Sequence, residues 1–325
     1  MKKLEMKQFD SYEDMLLYLH NNEGKTKERE YALTDITFVD AGKSTISVSY
    51  PDGVLDIRKT AYRSVFDRCG LAGIVLNKLP VAYLVSLLNT AKEYMRTNGK
   101  ANRVKCISVG DQLIAMLSST QTAGNNSYER QAMDDTLSII NDGVETLAEP
   151  SSFIGFAGLE ASVCRWSLET NGRPVRITMS SSNIGEGALS LRADSIDNGR
   201  IIPITKNISI QHRMGEKPNP GEIISSLVAS IDKAYADIDG MKATRIHNPE
   251  LVVETLRKQF HLDIRPCEKA ISALQDQTDV TAYDVYSTLS DTSFYEYGHK
   301  NGMLQEKYAA KYIPILGIDW QKYDD

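Results

Sequence analysis

Residues 162–182 read SVCRWSLETNGRPVRITMSSS, and this stretch decides the fold class. Apolar, β-branched and small polar residues stand on both sides of Asn171-Gly172, a dipeptide that is typical of two-residue hairpin turns. The pattern predicts two antiparallel strands, Ser162–Glu169 and Val175–Ser182.

The strand pattern continues after this hairpin. Ala188–Asp194 and Ile201–His212 are further candidate strands, and Asn198-Gly199 is the turn signal between them. A long helix is then predicted, because Asn219-Pro220 supplies a helix start and apolar residues follow at helical spacing from Ile223. The order of this central part is therefore strands first and a helix afterwards.

Two more hairpins are predicted in the first third of the chain. Each consists of β-rich runs on either side of a short turn. The predicted strands are Ala32–Val39 with Ser44–Tyr50, and Arg103–Val109 with Gln112–Ser118.

These elements predict an α+β fold. It has a mixed N-terminal part, a central antiparallel sheet in β-β-β-α order and a helical C-terminal part. Composition shifts predict regions 1–150, 151–240 and 241–325, and the alternative is one continuous domain. At 325 residues the chain is long enough to bury a sizeable core.

Composition excludes several classes of protein. With 37 basic and 43 acidic residues the net charge is −6, which excludes a globally basic nucleic-acid coat but leaves room for a local basic groove. The four cysteines are far apart in sequence and are predicted to be reduced. No apolar run approaches the roughly 18 residues that a membrane span needs, and residues 1–20 lack the pattern of a secretory signal. The expected location is the cytoplasm of a bacterial host cell.

No motif predicts a catalytic residue, a metal site or a cofactor. Asp40–Thr45 resembles the tail of a phosphate-binding loop, but Thr37 stands where the first glycine of that motif belongs, and a strand follows instead of a helix. Asp52 and Asp56 with Arg58 only faintly suggest a metal-dependent nuclease, since the lysine of such a core is missing. The five histidines show no metal-ligand spacing.

The strongest local signal is electrostatic, because basic residues collect in the predicted central sheet. Alternate strand residues share a face, so we expect Arg165 and Trp166 on opposite faces and Arg192 and Asp194 on one face. A basic face could follow a phosphate backbone while Trp166 stacks on a base. The candidate nucleic-acid-binding residues are Arg165, Trp166, Arg173, Arg176, Arg192, Arg200, Lys206, His212 and Arg213. The alternative is a solvated sheet face whose arginines pair with Glu160, Glu169, Asp194 and Asp197.

Tyrosine is also abundant, with 16 residues, and seven of them lie in the last 43 positions. Tyrosine is enriched where an apolar surface meets a polar rim, which favours a subunit interface and a homo-oligomer. The alternative is helix packing at the edge of the core. These residues are Tyr283, Tyr286, Tyr295, Tyr297, Tyr308, Tyr312 and Tyr323.

The segment Val175–Arg213 resembles the central block of a phage- and plasmid-borne family known only as a domain of unknown function (number nine-three-two). The shared features are a polar turn with glycine at Asn183–Gly187, an Asn/Gly step at Asn198-Gly199 and a strand that closes on His212-Arg213. This chain lacks the Cys-Asn-Gly-like sequence that follows the third strand in that family.

The resemblance extends over most of residues 58–316. Ala61–Gly70 is similar to the family's early helix, Arg103–Ser118 to its strand pair and Thr281–Ser290 to its closing helix. The resemblance implies a mobile-element context among recombination, replication and defence genes. It implies no catalytic residue.

We therefore expect a non-catalytic phage or mobile-element protein of DNA metabolism that binds or anneals single-stranded nucleic acid as an oligomer. The alternative is a protein-binding component, either an inhibitor of host defence or a virion protein. A third class is a nuclease or hydrolase whose site residues are scattered in sequence. Arginines on one exposed face would favour the first class, an exposed apolar patch the second, and converging carboxylates the third.

Overall fold

The computed structural model describes residues 6–42, 45–71, 79–97, 103–118, 132–182, 189–206, 208–210, 220–296 and 310–324. Its strands are β1 (Lys7–Phe9), β2 (Thr26–Ala32), β3 (Thr37–Asp40), β4 (Ile46–Tyr50), β5 (Gly53–Ile57), β6 (Arg103–Val109), β7 (Gln112–Ser118), β8 (Ser152–Ala157), β9 (Ala161–Thr170), β10 (Arg173–Ser182), β11 (Leu189–Asp197), β12 (Arg200–Pro203) and β13 (Ile208–Ile210). Its α-helices are α1 (Tyr12–Glu23), α2 (Tyr62–Arg68), α3 (Val81–Thr97), α4 (Met133–Glu145), α5 (Pro220–Ala243), α6 (Pro249–Phe260), α7 (Ile264–Leu274) and α8 (Ala282–Glu296). The α+β class is confirmed.

The large sheet is antiparallel and has the order β1-β8-β9-β10-β11-β12, while β13 also pairs with β11. The predicted central antiparallel sheet is therefore confirmed. The predicted strand Ile201–His212 is instead two strands, β12 and β13. Both strands pair antiparallel with β11, and a bulge separates them, at which the backbone N–H groups of Ile204 and Thr205 both donate to the carbonyl of Ala193.

One face of the large sheet, here called the inner face, is covered by helices. Trp166, Ile177 and Ala193 lie opposite one another across β9, β10 and β11, and all three are buried. The apolar sides of α1, α4 and α5 belong to the same core. Helix α1 comes close to β8 at Gly155, where a Cβ atom would lie 2.2 Å from the sulfur of Met15. A side chain at Gly155 would therefore force the side chains of Met15 and Phe153 to move.

The small sheet has six strands in the order β2-β6-β7-β5-β4-β3. Strands β3–β4 and β6–β7 form the two N-terminal hairpins that the sequence predicts, and the first strand of the former is shorter than predicted. Helices α2 and α3 pack on one face and complete a second core around Phe38, Val48 and Leu88. Strand β2 is an edge strand in which the four residues Lys27–Glu30 are all charged and exposed, which protects the edge from pairing with another chain.

The two cores divide the chain differently from the predicted regions 1–150, 151–240 and 241–325. Residues 6–23 and 132–324 contribute to the core of the large sheet, and residues 26–118 form the small sheet with its helices; we call these parts the large lobe and the small lobe. Strand β1 pairs with β8, with Phe9 opposite Gly155, so the large sheet crosses the predicted boundary at 150. A pairing of three-residue β1 with a distant strand leaves little signal in the sequence.

Two further expectations bear on the chemistry of the chain. The four cysteines are buried free thiols. Within the described ranges, no helix is both long and apolar enough to cross a membrane.

Candidate functional site

Two of the predicted nucleic-acid-binding residues, Arg176 and Arg192, lie on the outer face of the large sheet, opposite the inner face. The pairing of β10 with β11 places Arg176 opposite Asp194 and Thr178 opposite Arg192. Arg192 and Asp194 therefore share a face, as predicted. Asp194 Oδ2 accepts from Arg176 Nη2 at 2.7 Å, and Asp194 Oδ1 accepts from Arg192 Nε at 2.8 Å.

This three-residue cluster is buried. Arg176 is 8% exposed, Arg192 is 2% exposed and Asp194 is not exposed at all. Burial disfavours the charged form of Asp194, but the two guanidinium groups and their hydrogen bonds outweigh it and lower the pKa of this carboxyl to about 2. The prediction that Arg176 and Arg192 contact a phosphate backbone is wrong for this structure. The alternative is correct in the pairing with Asp194, but it is wrong in placing these arginines on a solvated face.

The prediction that Trp166 stacks on a base is also wrong for this structure. The indole is 1% exposed, and its Nε1 donates to Asn141 Oδ1 on α4 at 2.9 Å. Its ring meets Phe153 edge-on, with 5.6 Å between centroids. The alternation that separates Arg165 from Trp166 is confirmed, but it turns the indole toward the helices and not toward solvent.

The remaining candidates do not form one basic surface among the described residues. Arg165 is half-buried and lies over the ring of Phe156, 5.4 Å from its centroid. Arg173 pairs with Asp239 on α5. Arg200 and Lys206 are exposed near β12. His212 and Arg213 lie outside the described residues.

The carboxylates of the faint nuclease motif have separate partners. Asp52 contacts Tyr31 and Arg29, whereas Asp56 accepts a hydrogen bond from Ser47. No group of three or more possible metal ligands occurs in the part of the chain that the structure describes. Asp52 and Asp56 therefore do not converge in one site.

Three of the C-terminal tyrosines are core residues. Tyr283, Tyr286 and Tyr312 are at most 6% exposed. Tyr286 donates to the carbonyl of Pro203, and Tyr283 donates to Asp197, so both fasten α8 to the large sheet. For these residues the structure favours helix packing over a subunit interface.

The structure instead forms a groove on the helical side of the large lobe. This α4–α5 groove is a cavity of about 740 Å³ that is open to solvent. Its apolar lining includes Ile139 and Leu147 from α4 and the segment after it, and Ile224 and Val228 from α5. Asp142 and Asp232 stand at its sides. Ile139 is 44% exposed, although it is a large aliphatic residue.

The packing of α4 on α5 creates this groove. The core stripe of α5 includes Leu227 and Ile231, which face the large sheet. Ile224 and Val228 lie one position further along and so flank the stripe. The two helices touch where Ile224 meets Gly143, at which a Cβ atom would lie 2.7 Å from Ile224 Cγ1. Beside this contact Leu147 and Val228 are half-buried, whereas Ile224 itself is buried.

The groove continues along α5 to the turn between β9 and β10. Two smaller cavities, of about 170 and 310 Å³, follow it. Glu169 and Asp239 add two carboxylates to their lining, and Arg173 adds the single cation. The groove and its extension thus combine an apolar floor with four carboxylates and one guanidinium, which makes the surface acidic.

The β9–β10 turn lies against the far end of this surface. Asn171 and Gly172 have positive φ angles of 52° and 73°, as the predicted two-residue turn requires. Arg173 Nη2 donates to Asp239 Oδ2 at 2.8 Å, and the guanidinium lies 4.6 Å from the ring centroid of Tyr235. The hydrogen bond to Asp239 raises the pKa of Arg173 above its usual value. Asn171 Nδ2 donates to Asp232 Oδ1 at 3.3 Å.

The sequence predicts a helix at α5 with apolar residues at helical spacing, but it does not predict a groove beside them. One signal was present, because Asp232, Tyr235 and Asp239 recur at helical spacing on one side of α5, beside the apolar stripe. The contribution of α4 had no such signal, since only the folded chain brings Ile139 and Asp142 next to α5.

No protein-family model, no curated protein and no solved structure matches this chain.

Proposed function

We propose that this protein is a non-catalytic binding protein that holds a basic amphipathic helix of a partner protein in the α4–α5 groove. The observation that carries the proposal is an open apolar groove with four carboxylates around it and its extension. Helix-in-groove recognition uses apolar anchors at i, i+3, i+4 and i+7. The carboxylates select lysine and arginine on the flanks of such a helix.

The dimensions support a helical ligand. The groove and its extension follow α5 from Ile224 to Asp239, which is about 22 Å along the helix axis. A partner helix of about 15 residues has the same length. Ile139 and Val228 would pack against its apolar side.

This proposal follows the protein-binding alternative from the sequence. Nucleic-acid binding, with annealing as an oligomer, stays a prediction. Three of its candidate contact residues are buried, namely Arg176, Arg192 and Trp166. The acidic groove would repel a phosphate backbone. The phage or mobile-element context rests on the family resemblance alone and also stays a prediction.

A titration with a designed peptide tests the proposal. The probe is a fluorescein-labelled peptide of about 16 residues, with leucines at i, i+3, i+4 and i+7 and arginines on both flanks, and its control has glutamates in place of the arginines. We expect saturable binding of the basic peptide only. Ile139→Glu should weaken this binding at least about tenfold, because it buries a carboxylate under the apolar side of the peptide. Ile264→Glu is the matched control, since Ile264 is an exposed isoleucine outside the groove.

A labelled single-stranded oligonucleotide is titrated in parallel at low salt. If the oligonucleotide binds and the basic peptide does not, the proposal is overturned in favour of nucleic-acid binding. Peptide binding that Ile139→Glu and Ile264→Glu reduce equally would also overturn it.

A further inference from the structure

We propose that Tyr235 and Asp239 form an arginine-binding subsite at the far end of the α4–α5 groove, and that the chain's own Arg173 occupies it until an arginine of the partner takes its place. This inference rests on the proposed function, because the partner's arginine arrives with the helix in the groove.

The subsite has the chemistry of a guanidinium receptor. Asp239 Oδ2 accepts from Arg173 Nη2 at 2.8 Å, and the carbonyl of Tyr235 accepts from Arg173 Nη1 at 3.5 Å. The ring of Tyr235 lies 4.6 Å from Arg173 Cζ. A planar guanidinium can donate to two acceptors and lie over an aromatic ring at the same time, whereas a lysine ammonium lacks the fork and the flat face.

The subsite is built to hold its shape when Arg173 leaves. The hydroxyl of Tyr235 donates to the backbone carbonyl of Pro174 at 3.0 Å, which holds the aromatic ring without the side chain of Arg173. The backbone of Arg173 is paired with Thr170 at the end of the β9–β10 hairpin. Only the side chain of Arg173 therefore has to move, and the hairpin stays in place.

The pair is also exchangeable. The side chain of Arg173 is 39% exposed and that of Asp239 is 57% exposed, so water reaches both groups. Exposed ion pairs of this kind are weak. A partner helix that already contacts the groove presents its arginine at a high local concentration, which favours replacement of Arg173.

The groove with this subsite therefore prefers a partner helix that carries an arginine, and not a lysine, at the end near the β9–β10 turn. It also makes Arg173 a competitor of the partner. Removing this side chain should increase the affinity for an arginine-bearing helix, whereas removing a purely structural contact should not.

The test compares Arg173→Gln with the unchanged protein, using the basic peptide described above and two relatives in which the arginine at one end or the other is replaced by lysine. We expect Arg173→Gln to bind the arginine peptide about threefold more tightly. For one of the two lysine peptides, the one whose lysine reaches the subsite, Arg173→Gln should bind no more tightly than the unchanged protein. Asp239→Asn should abolish the preference for arginine over lysine. Arg200→Gln is the matched control, because Arg200 is an exposed arginine of the same sheet.

Thermal unfolding of each variant separates an effect on binding from an effect on the fold. Equal or weaker binding by Arg173→Gln, with unfolding like that of the unchanged protein, would overturn the subsite. If Ile139→Glu still reduces peptide binding in that case, the proposed function stands and only the subsite fails. If no peptide binds to any variant, both proposals fail.

Discussion

Arg58 Nε lies 2.6 Å from Glu160 Oε1, and this ion pair joins the small lobe to the large lobe. Thr60 donates to the same oxygen at 2.6 Å. Glu160 belongs to the turn between β8 and β9 and is completely buried, while Arg58 directly follows β5. A single buried carboxylate therefore holds the segment that follows β5 against the end of the large sheet.

Replacing this carboxylate should destabilise the protein. Glu160→Gln removes a fully buried negative charge from its ion pair with the guanidinium of Arg58, which should lower the free energy of unfolding by on the order of 3 kcal/mol. Urea unfolding measures the change. The control is Glu93→Gln, because Glu93 pairs with Arg96 at the exposed surface, where a much smaller loss is expected. Equal losses in the two variants would contradict a specific role for Glu160.

The buried cluster of Asp194 with Arg176 and Arg192 predicts a dependence of stability on pH. The pKa of Asp194 is lowered to about 2 from the usual 3.8, so its ionised form stabilises the folded state above pH 4. This stabilisation, about 2 kcal/mol, should be lost as the pH falls from about 4 to 2. Unfolding measured over this range should show a steeper decline for the unchanged protein than for Asp194→Asn. Parallel declines would contradict the assignment.

Asp194→Asn should also destabilise the protein at neutral pH. The substitution leaves two buried guanidinium groups with a neutral amide in place of the carboxylate that they share. We expect a loss of about 3–5 kcal/mol in the free energy of unfolding. A loss under 1 kcal/mol, measured by urea unfolding at pH 7, would show that the cluster is not buried as described.

The hydrogen bond from Trp166 to Asn141 predicts an effect on stability without an effect on binding. Asn141→Ala leaves the indole N–H unpaired in the core, which should lower the free energy of unfolding by about 1–3 kcal/mol.

Because Trp166 is on the inner face, Trp166→Phe should leave any oligonucleotide affinity unchanged at low salt. A large drop in that affinity, with the fold intact, would restore the stacking role that the sequence suggests.

Asp324 predicts a second, smaller effect through helix α6. Its carboxylate accepts from the backbone N–H groups of His247 and Asn248 at 2.8 Å each. Burial opposes ionisation, but these bonds and the His247 side chain outweigh it and lower the pKa of Asp324. Asp324→Ala should cost about 1 kcal/mol, as the loss of a helix cap does. The cost should shrink when the pH falls below the usual range of a carboxyl group, and an unchanged cost there would contradict the role of the charge.

The local elements were largely predictable because their signals are local. Asn171-Gly172 marks the β9–β10 turn, and Asn248-Pro249 starts α6, with the Asn248 side chain accepting from the N–H of Leu251. Gly70 follows the end of α2 and has a φ of 73°, the left-handed conformation in which a glycine commonly terminates a helix. Each of these features depends on a few neighbouring residues.

The candidate site was not predictable in the same way. Alternation along β9 separates Arg165 from Trp166 but does not say which face the helices cover. The burial of Arg192 depends on what packs over the outer face, and the groove depends on α4 approaching α5 at Gly143. These are contacts between distant segments, which no periodicity within one segment records.

Hydrogen–deuterium exchange with and without the basic peptide shows whether the α4–α5 groove is the binding surface. At a saturating peptide concentration we expect slower amide exchange in residues 139–147 and 224–239, and unchanged exchange in the small lobe. Slower exchange only outside these two segments would contradict binding in the groove. The absence of any change in exchange at saturation would contradict it as well.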